Sequence, residues 1–150
     1  TADGEPEMVV AQPSGSEYAM TGLAADARRV AWCISQRVEP SPEATYHAWI
    51  YLQDLASGSL TEVSLDSSPG GGNVLSLSGR WLAWGNGSGW GDSRQFLFDL
   101  TSAKIFVVAD TPGGSWIRVN DPAVAWYESP PPGAPYPILR VMTGFLREPS

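Results

Sequence analysis

The stretch that decides the fold is NVLSLSGRWLAWGNGSGWGDSRQFLFDLTSAKIFVVA, residues 73–109. It holds four apolar runs of four or five residues, rich in β-branched and aromatic side chains and separated by turn-forming residues. Runs of this length and composition are typical of strands rather than helices. The stretch therefore predicts a four-stranded antiparallel meander, which cannot bury its faces without neighbouring sheets. The runs are Val74–Leu77, Trp81–Trp84, Phe96–Leu100 and Ile105–Val108.

The rest of the chain repeats this pattern. A triplet of an aliphatic residue, Ala and Trp ends at Trp32, Trp84 and Trp126, and a strand ending in a turn follows each triplet. Trp84 and Trp126 are 42 positions apart, whereas Trp32 and Trp84 are 52 apart because of a longer loop at residues 36–46. A period near 42 with four strands per unit lies in the roughly 40 to 45 residue range of β-propeller blades.

We therefore expect an all-β chain of about three four-stranded antiparallel blades, which is half of a six-bladed propeller. The predicted blades, within a single domain over residues 1–150, occupy approximately residues 17–66, 73–110 and 115–150. Residues 7–11 form a predicted outer strand, centred on Met8 to Ala11. The common position of Trp32, Trp84 and Trp126 predicts one shared role, packing between blades.

The repeat resembles a known family of blades. Two parts of the chain are similar to TolB-type, WD-like propeller repeats and to those of prolyl oligopeptidase-type propeller domains. They are Arg28 to Trp32 followed by Trp49 to Gly58, and Ser78 to Trp84 followed by Phe96 to Thr101. Residues 122–126 with 138–144 make a weaker third match, without the Asp-Leu pair of the other two, and the first blade has Ala25-Asp26-Ala27 where a Ser-Pro-Asp-Gly turn is expected. The resemblance implies the fold, which hosts many functions.

Composition excludes several classes of function. The net charge is −7 and Lys and Arg form no cluster, so we expect no nucleic-acid partner. No apolar run approaches the roughly 20 residues of a membrane span, so we expect no membrane insertion. The single cysteine, Cys33, follows Trp32 within a predicted strand and is expected to be a small core residue. Because the sequence starts at Thr1, we expect a processed chain or part of a longer one.

Catalytic and metal sites lack support in the sequence. His47 is the only histidine, no Gly-x-Ser-x-Gly elbow is present, and no cysteine pair could bind a metal. We expect no enzyme activity, no metal and no cofactor, and His47 should start a strand at the rim. Asp66, Asp110 and Asp121 are predicted to lie in blade turns, where Asp caps backbone N–H groups, although a role as a rim ligand or in calcium binding is the alternative.

Three loops occupy the same place in their blades: residues 36–46, 85–93 and 129–137. They should cluster on one face, as binding loops do on a rigid scaffold. Trp90, in the Gly-rich middle loop, is either a ligand contact or folded back over its own hairpin. The candidate binding residues of this face are Tyr46, His47, Trp90, Asp92 and Tyr136.

The favoured function is a non-enzymatic binding or scaffold module that contacts a protein partner, in the periplasm, the bacterial envelope or the extracellular space, as the TolB resemblance implies. The alternatives are a propeller domain that gates a peptidase or hydrolase, and a carbohydrate- or small-ligand-binding propeller.

Three blades leave apolar faces open, so the partner is either further blades or a second copy, with a homodimer completing a six-bladed ring. Met8 to Ala11 and Phe145 to Glu148 compete in this prediction for the outermost strand of the last blade.

Overall fold

The computed structural model describes residues 17–37, 46–64, 73–86, 92–112, 116–128 and 138–143, together with 130, 133 and 136. Within these residues the chain is all-β, as predicted, with eleven strands and no helix. The strands are Tyr18–Ala25 (β1), Arg29–Arg37 (β2), Tyr46–Asp54 (β3), Leu60–Ser64 (β4), Asn73–Ser78 (β5), Trp81–Asn86 (β6), Asp92–Asp99 (β7), Lys104–Pro112 (β8), Ile117–Asn120 (β9), Ala123–Glu128 (β10) and Ile138–Thr143 (β11).

The strands form three antiparallel sheets, each a meander in chain order. The first sheet contains β1 to β4, the second β5 to β8, and the third β9 to β11. The second sheet is the meander that residues 73–109 predict. The third sheet has three strands within the described residues, and both predicted candidates for its fourth strand, Met8 to Ala11 and Phe145 to Glu148, lie outside them.

Two of the predicted loops are shorter than expected. Arg37 pairs with Tyr46, so β2 and β3 continue into the range that the sequence assigns to a loop. Asn86 likewise pairs with Arg94, and Asp92 is the first residue of β7 rather than a loop residue. The reason is that backbone N–H and C=O groups continue the ladder whatever the side chain is, so polar residues at strand ends do not mark the end of pairing.

The prediction that Asp110 lies in a turn is wrong, because it lies within β8 opposite Arg94. The register of β7 and β8 shifts between Gln95 and Phe96, and pairing then continues to Pro112. A bulge of this kind lets the pairing of the two strands continue beyond the residues whose apolar side chains alternate. Asp121 does lie in a turn, between β9 and β10, and Asp66 lies outside the described residues.

The sheets stack face to face, with their first strands side by side. Strand β5 contacts β1 on one side and β9 on the other. One buried cluster joins the first and second sheets and includes Ala31, Ile50 and Trp84, and it also contains Cys33 as expected. A second cluster joins the second and third sheets and includes Ala83 and Trp126. The core is therefore two layers of side chains between three sheets.

Alternation along the central strands explains which residues enter each layer. In β6, Leu82 and Trp84 face the first sheet, whereas Trp81 and Ala83 face the third. Trp84 and Trp126 thus pack between sheets, as predicted. Trp32 does not, since it alternates with Ala31 and Cys33 and lies on the opposite face of the first sheet. Its indole is buried and stacked on Tyr51 at 5.6 Å, as Trp84 is stacked on Phe96 at 5.3 Å.

The turns between the third and fourth strands are built alike in the first two sheets. The Asp54 carboxylate accepts hydrogen bonds from the backbone N–H groups of Ala56 and Ser57, and Asp99 accepts one from Thr101. The turn closes through Gly58 N–H to the Asp54 carbonyl at 2.8 Å, and its counterpart is Ala103 N–H to Asp99, also 2.8 Å. This geometry is the physical basis of the Asp-Leu motif in the sequence.

The buried indole between the first and second sheets gives one prediction. Replacing Trp84 with Ala removes a fully buried aromatic side chain and should lower the free energy of unfolding by about 3 to 5 kcal/mol. The matched control is Tyr136→Ala, because Tyr136 is 77% exposed and its loss should change stability by less than about 0.5 kcal/mol. Denaturant titrations followed by circular dichroism compare the two, and equal losses would contradict this placement of the core.

The two equivalent turns, at Gly58 and Ala103, give a second prediction, in which two substitutions change stability in opposite directions. Gly58 and Ala103 both have positive φ, at 71° and 54°. Gly58→Ala should destabilise by about 1 kcal/mol, since a Cβ there meets no atom within 4 Å and only the left-handed backbone opposes it. Ala103→Gly should stabilise by about 0.5 kcal/mol. Thermal unfolding measures both, and a shift of the same sign in the two variants would refute the equivalence of the turns.

Candidate functional site

Contacts between turns show that the three sheets run in the same direction. The Arg29 guanidinium, at the start of β2, donates to the carbonyl of Gly79 in the β5–β6 turn at 2.7 Å. A Cβ on Gly79 would lie 3.2 Å from Asp121 Oδ2, and Asp121 N–H donates to Ser78 Oγ at 3.4 Å. The turns joining the first two strands of each sheet therefore lie together, at what we call the hairpin end.

The opposite end carries the three connections from the second to the third strand of each sheet. We call it the loop rim and define it by the described residues that flank those connections. The common direction of the sheets places the described residues that flank the three connections at one end. These residues are Arg37, Tyr46, His47, Asn86, Asp92, Glu128, Tyr136 and Ile138.

The structure places four of the five predicted binding residues at the loop rim. Tyr46 and His47 are the first two residues of β3, and Asp92 is the first residue of β7. Tyr136 lies shortly before β11 and is largely exposed. Trp90 lies outside the described residues.

The side chains at the rim differ in how firmly they are held. His47 is exposed and packs its ring 6.1 Å from that of Trp49. On the third sheet, Glu128 accepts a hydrogen bond from Trp126 Nε1 at 3.2 Å and pairs with Arg140 at 3.0 Å. The rim of the third sheet is therefore fixed by a charged network, with the exposed Tyr136 ring beside it in the chain.

The hairpin end contains a strongly perturbed carboxylate. Asp99 is almost fully buried, and both of its oxygens accept hydrogen bonds from the Arg80 guanidinium, from Nε and Nη2, each at 2.6 Å. These bonds, with others from Ser102 and Thr101, hold the pKa of Asp99 well below its usual range, although burial acts in the opposite direction. A bidentate pair of this kind is specific and strong. The Arg80–Asp99 pair joins the β5–β6 turn to the β7–β8 turn, so its role is structural.

A cleft of about 270 Å³ lies between the first and second sheets near the same end. Leu52, Phe98 and Leu100 line it, together with the polar residues Arg29 and Asp54. Its volume is slightly below the range of about 300 to 1,000 Å³ for ligand pockets. Arg29 already donates to Gly79 and Asp54 already caps its own turn, so the cleft is a seam between sheets rather than a prepared ligand site.

Sequence reasoning predicts open apolar faces at the ends of the array, but it does not identify the residues that form the one on the third sheet. Trp116, Tyr127, Leu139 and Val141 are all more than two-fifths exposed, and Arg118 lies across the Trp116 ring at 5.5 Å. The signal in the sequence was the alternation of β10, where Ala125 and Tyr127 point away from Trp126. It also missed the Arg80–Asp99 pair, whose signal was an Arg directly before the apolar run Trp81–Trp84 and an Asp at the end of the next strand.

The described ranges hold neither a candidate metal site nor a membrane-spanning helix. No group of three or more His, Cys, Asp or Glu residues there is placed to hold a metal ion. The described residues also include no helix long and apolar enough to span a membrane.

Comparison with solved structures shows the fold class. The chain is similar to the β-propeller domain, of open velcro topology, of the trilobed protease from Pyrococcus furiosus, with a TM-score of 0.56 and 10% identity over 77% of this chain. It is also similar to the acylaminoacyl peptidase of Pyrococcus horikoshii, with a TM-score of 0.54 and 14% identity over 74% of this chain, and to an acylaminoacyl peptidase bound to Z-Gly-Gly-Phe-chloromethyl ketone, with a TM-score of 0.55 and 14% identity.

These likenesses establish that the three sheets are β-propeller blades. At identities of 10% and 14% they show the fold alone. The chain covers 35% of the trilobed protease propeller chain and 17% of each acylaminoacyl peptidase chain. No protein-family model and no curated protein matches the sequence.

The perturbed carboxylate gives a prediction about pH. Asp99→Asn should destabilise by about 2 to 3 kcal/mol at pH 7, because the amide cannot accept both guanidinium bonds. The folded-state pKa of Asp99 lies below its unfolded value near 3.8, so the pair stabilises fully above that value and the contribution is lost as pH falls below it. The difference between the native chain and Asp99→Asn should therefore shrink below about pH 4.

The control for this experiment is Asp54→Asn, at the equivalent turn of the first sheet. Its carboxylate is exposed and accepts hydrogen bonds mainly from Ser57, which lower its pKa, and the Arg28 guanidinium acts on it only through its charge. We expect a smaller loss than for Asp99→Asn. Unfolding free energies at pH 7, 5 and 3 decide the matter, and a deficit for Asp99→Asn that stays constant with pH would be inconsistent with the proposed pair.

Proposed function

We propose that this chain is a non-enzymatic binding and scaffold module, whose blades present a protein-binding surface at the loop rim. One observation carries the proposal: the strand ends that flank three connections lie at the same end of the stack of sheets, and that end holds exposed side chains. His47 and Tyr136 are exposed there, whereas the polar groups of the hairpin end bond to one another.

The chemistry of the rim supports a protein partner. Exposed aromatic residues supply large contact areas at low cost in side-chain entropy, and they are frequent at binding hot spots. Tyr136 provides such a ring, and Glu128 and Arg140 nearby provide a fixed pair of charges that can orient a polar partner. The repeat motifs of the first two blades support a TolB-type assignment within the propeller fold.

A second candidate is a propeller domain that gates a peptidase. The observation that favours it is that the similar solved structures belong to a protease and to acylaminoacyl peptidases. The open reading frame that contains these 150 residues distinguishes the two. A hydrolase domain adjoining the blades supports the gate, and an open reading frame without one supports the scaffold.

Site-specific photo-cross-linking tests the rim. A benzophenone amino acid replacing Tyr136 should cross-link a protein partner in the native cell extract. The control replaces Leu55, which is also exposed but lies in the β3–β4 turn at the hairpin end, and it should give no specific adduct. Equal adducts at both positions, or none at Tyr136, would speak against a binding surface at the loop rim.

A further inference from the structure

Among the described residues, no sheet packs on one face of the first sheet or on one face of the third. We call the open face of the first sheet the leading face; its described residues include Met20, Leu23, Trp32, Ile34 and Tyr51. We call the open face of the third sheet the trailing face. It has three rows across the strands: Trp116, Tyr127 and Leu139; Arg118, Ala125 and Val141; and Asn120, Ala123 and Thr143.

The repeat provides an internal comparison for the leading face. Leu23, Leu75 and Ile117 occupy one position, since each lies opposite the repeated Trp on the first strand of its sheet. Leu75 is 5% exposed and Ile117 is fully buried, because each faces a preceding sheet. Leu23, which has no preceding sheet, is 65% exposed. Trp32 and Ile34, on the same face, are only 2% and 4% exposed, so the exposed part of the leading face is its edge on β1, at Met20 and Leu23.

The trailing face shows the same contrast. Leu52, Leu97 and Val141 occupy one position, each opposite the Ala of the repeated triplet on the third strand. Leu52 is 9% exposed and Leu97 is fully buried, because each faces a following sheet, whereas Val141 is 59% exposed. The Ala is also fully buried in the first two sheets and only partly buried at Ala125.

The two faces fit each other, as the chain itself shows twice. The trailing face of the first sheet packs on the leading face of the second, with Ala31 and Trp84 in one buried cluster. The trailing face of the second packs on the leading face of the third, with Ala83 and Trp126 in another. Each chain therefore has one leading face and one trailing face on which no described sheet packs. Faces of these two kinds pack on each other twice within the chain.

We propose that a second copy of this chain occupies both open faces, head to tail, so that two chains form a closed ring of six blades. The trailing row of Ala125 and Val141 in each copy covers the partner's leading row at the exposed Leu23, beside the buried Trp32. Six blades lie within the range of about 4 to 8 at which propellers close.

The surface chemistry agrees with this occupant. Arg118 is the only charged residue in the three rows of the trailing face, and its guanidinium lies on the Trp116 ring rather than over Ala125. Trp32 is already stacked on Tyr51, so it forms the floor of the leading face while Leu23 and Met20 project from it. The six-bladed ring rests on the proposed scaffold role and specifies it further, because only stacked blades can close in this way.

The first experiment measures the mass of the 150-residue chain by light scattering at micromolar concentration. We expect twice the 16.1 kDa of one chain. Val141→Asp should halve that mass, since it places a carboxylate in the trailing face. The matched control is Val107→Asp, because Val107 is 58% exposed on the outer strand of the second sheet, and it should leave the mass unchanged. Circular dichroism verifies that both variants fold.

A native chain with the mass of one copy would overturn the ring, and so would equal dissociation by the two substitutions. Either result would leave the loop-rim proposal intact, because cross-linking from Tyr136 does not require a second copy. Further blades of a longer polypeptide on the open faces would appear in this experiment as the single-copy mass.

The second experiment tests the head-to-tail arrangement. Leu23→Asp and Val141→Asp should each have the mass of one copy, because every contact in either dimer contains a substituted face. An equimolar mixture should recover the doubled mass, since a mixed pair contains one contact with two native faces. A dimer in which one face packs on its own copy cannot recover by mixing, so a mixture that stays at the single-copy mass would overturn the proposed arrangement.

Discussion

The structure depends on the packing of one flat apolar sheet face against another. No sheet of three or four strands can bury its own faces, so each acquires stability only from its neighbour. Trp84 fills the layer between the first and second sheets, and Trp126 fills the layer between the second and third. The small Ala before each Trp faces the other way and leaves room for the indole of the next sheet. The alternation of a large and a small residue thus sets both the spacing and the order of the blades.

The two ends of the stack differ in how their side chains are held, although the third sheet fixes Glu128 at the rim through Trp126 and Arg140. At the hairpin end the charged and polar groups are bonded within the protein: Arg80 to Asp99, Arg29 to Gly79, and Asp54 to its own turn. At the loop rim His47 and Tyr136 are exposed to solvent. Perturbed carboxylates often mark functional sites, but Asp99 shows that a structural lock produces the same signature.

Most of the fold could be predicted from the sequence, because short apolar runs between turn residues specify strands and a constant spacing specifies a repeat. The strand ends could not. Tyr46, Asp92 and Asp110 are polar, yet their backbone groups continue the ladder. The rim position of His47 follows from the strand order alone. The Arg80–Asp99 pair could not be foreseen, since it joins residues 19 positions apart and depends on the register of two hairpins.

The side-by-side placement of β1, β5 and β9, each beginning a sheet that is continuous in sequence, has a consequence for how the protein assembles. Every strand pair joins neighbours in the chain, so each sheet can close its ladder before any long-range contact is needed. In the described part of the chain, only the second sheet has another sheet packed on both of its faces. Folding should therefore start there and spread outwards, and slow amide exchange should be concentrated in β5 to β7, with the outer sheets opening first.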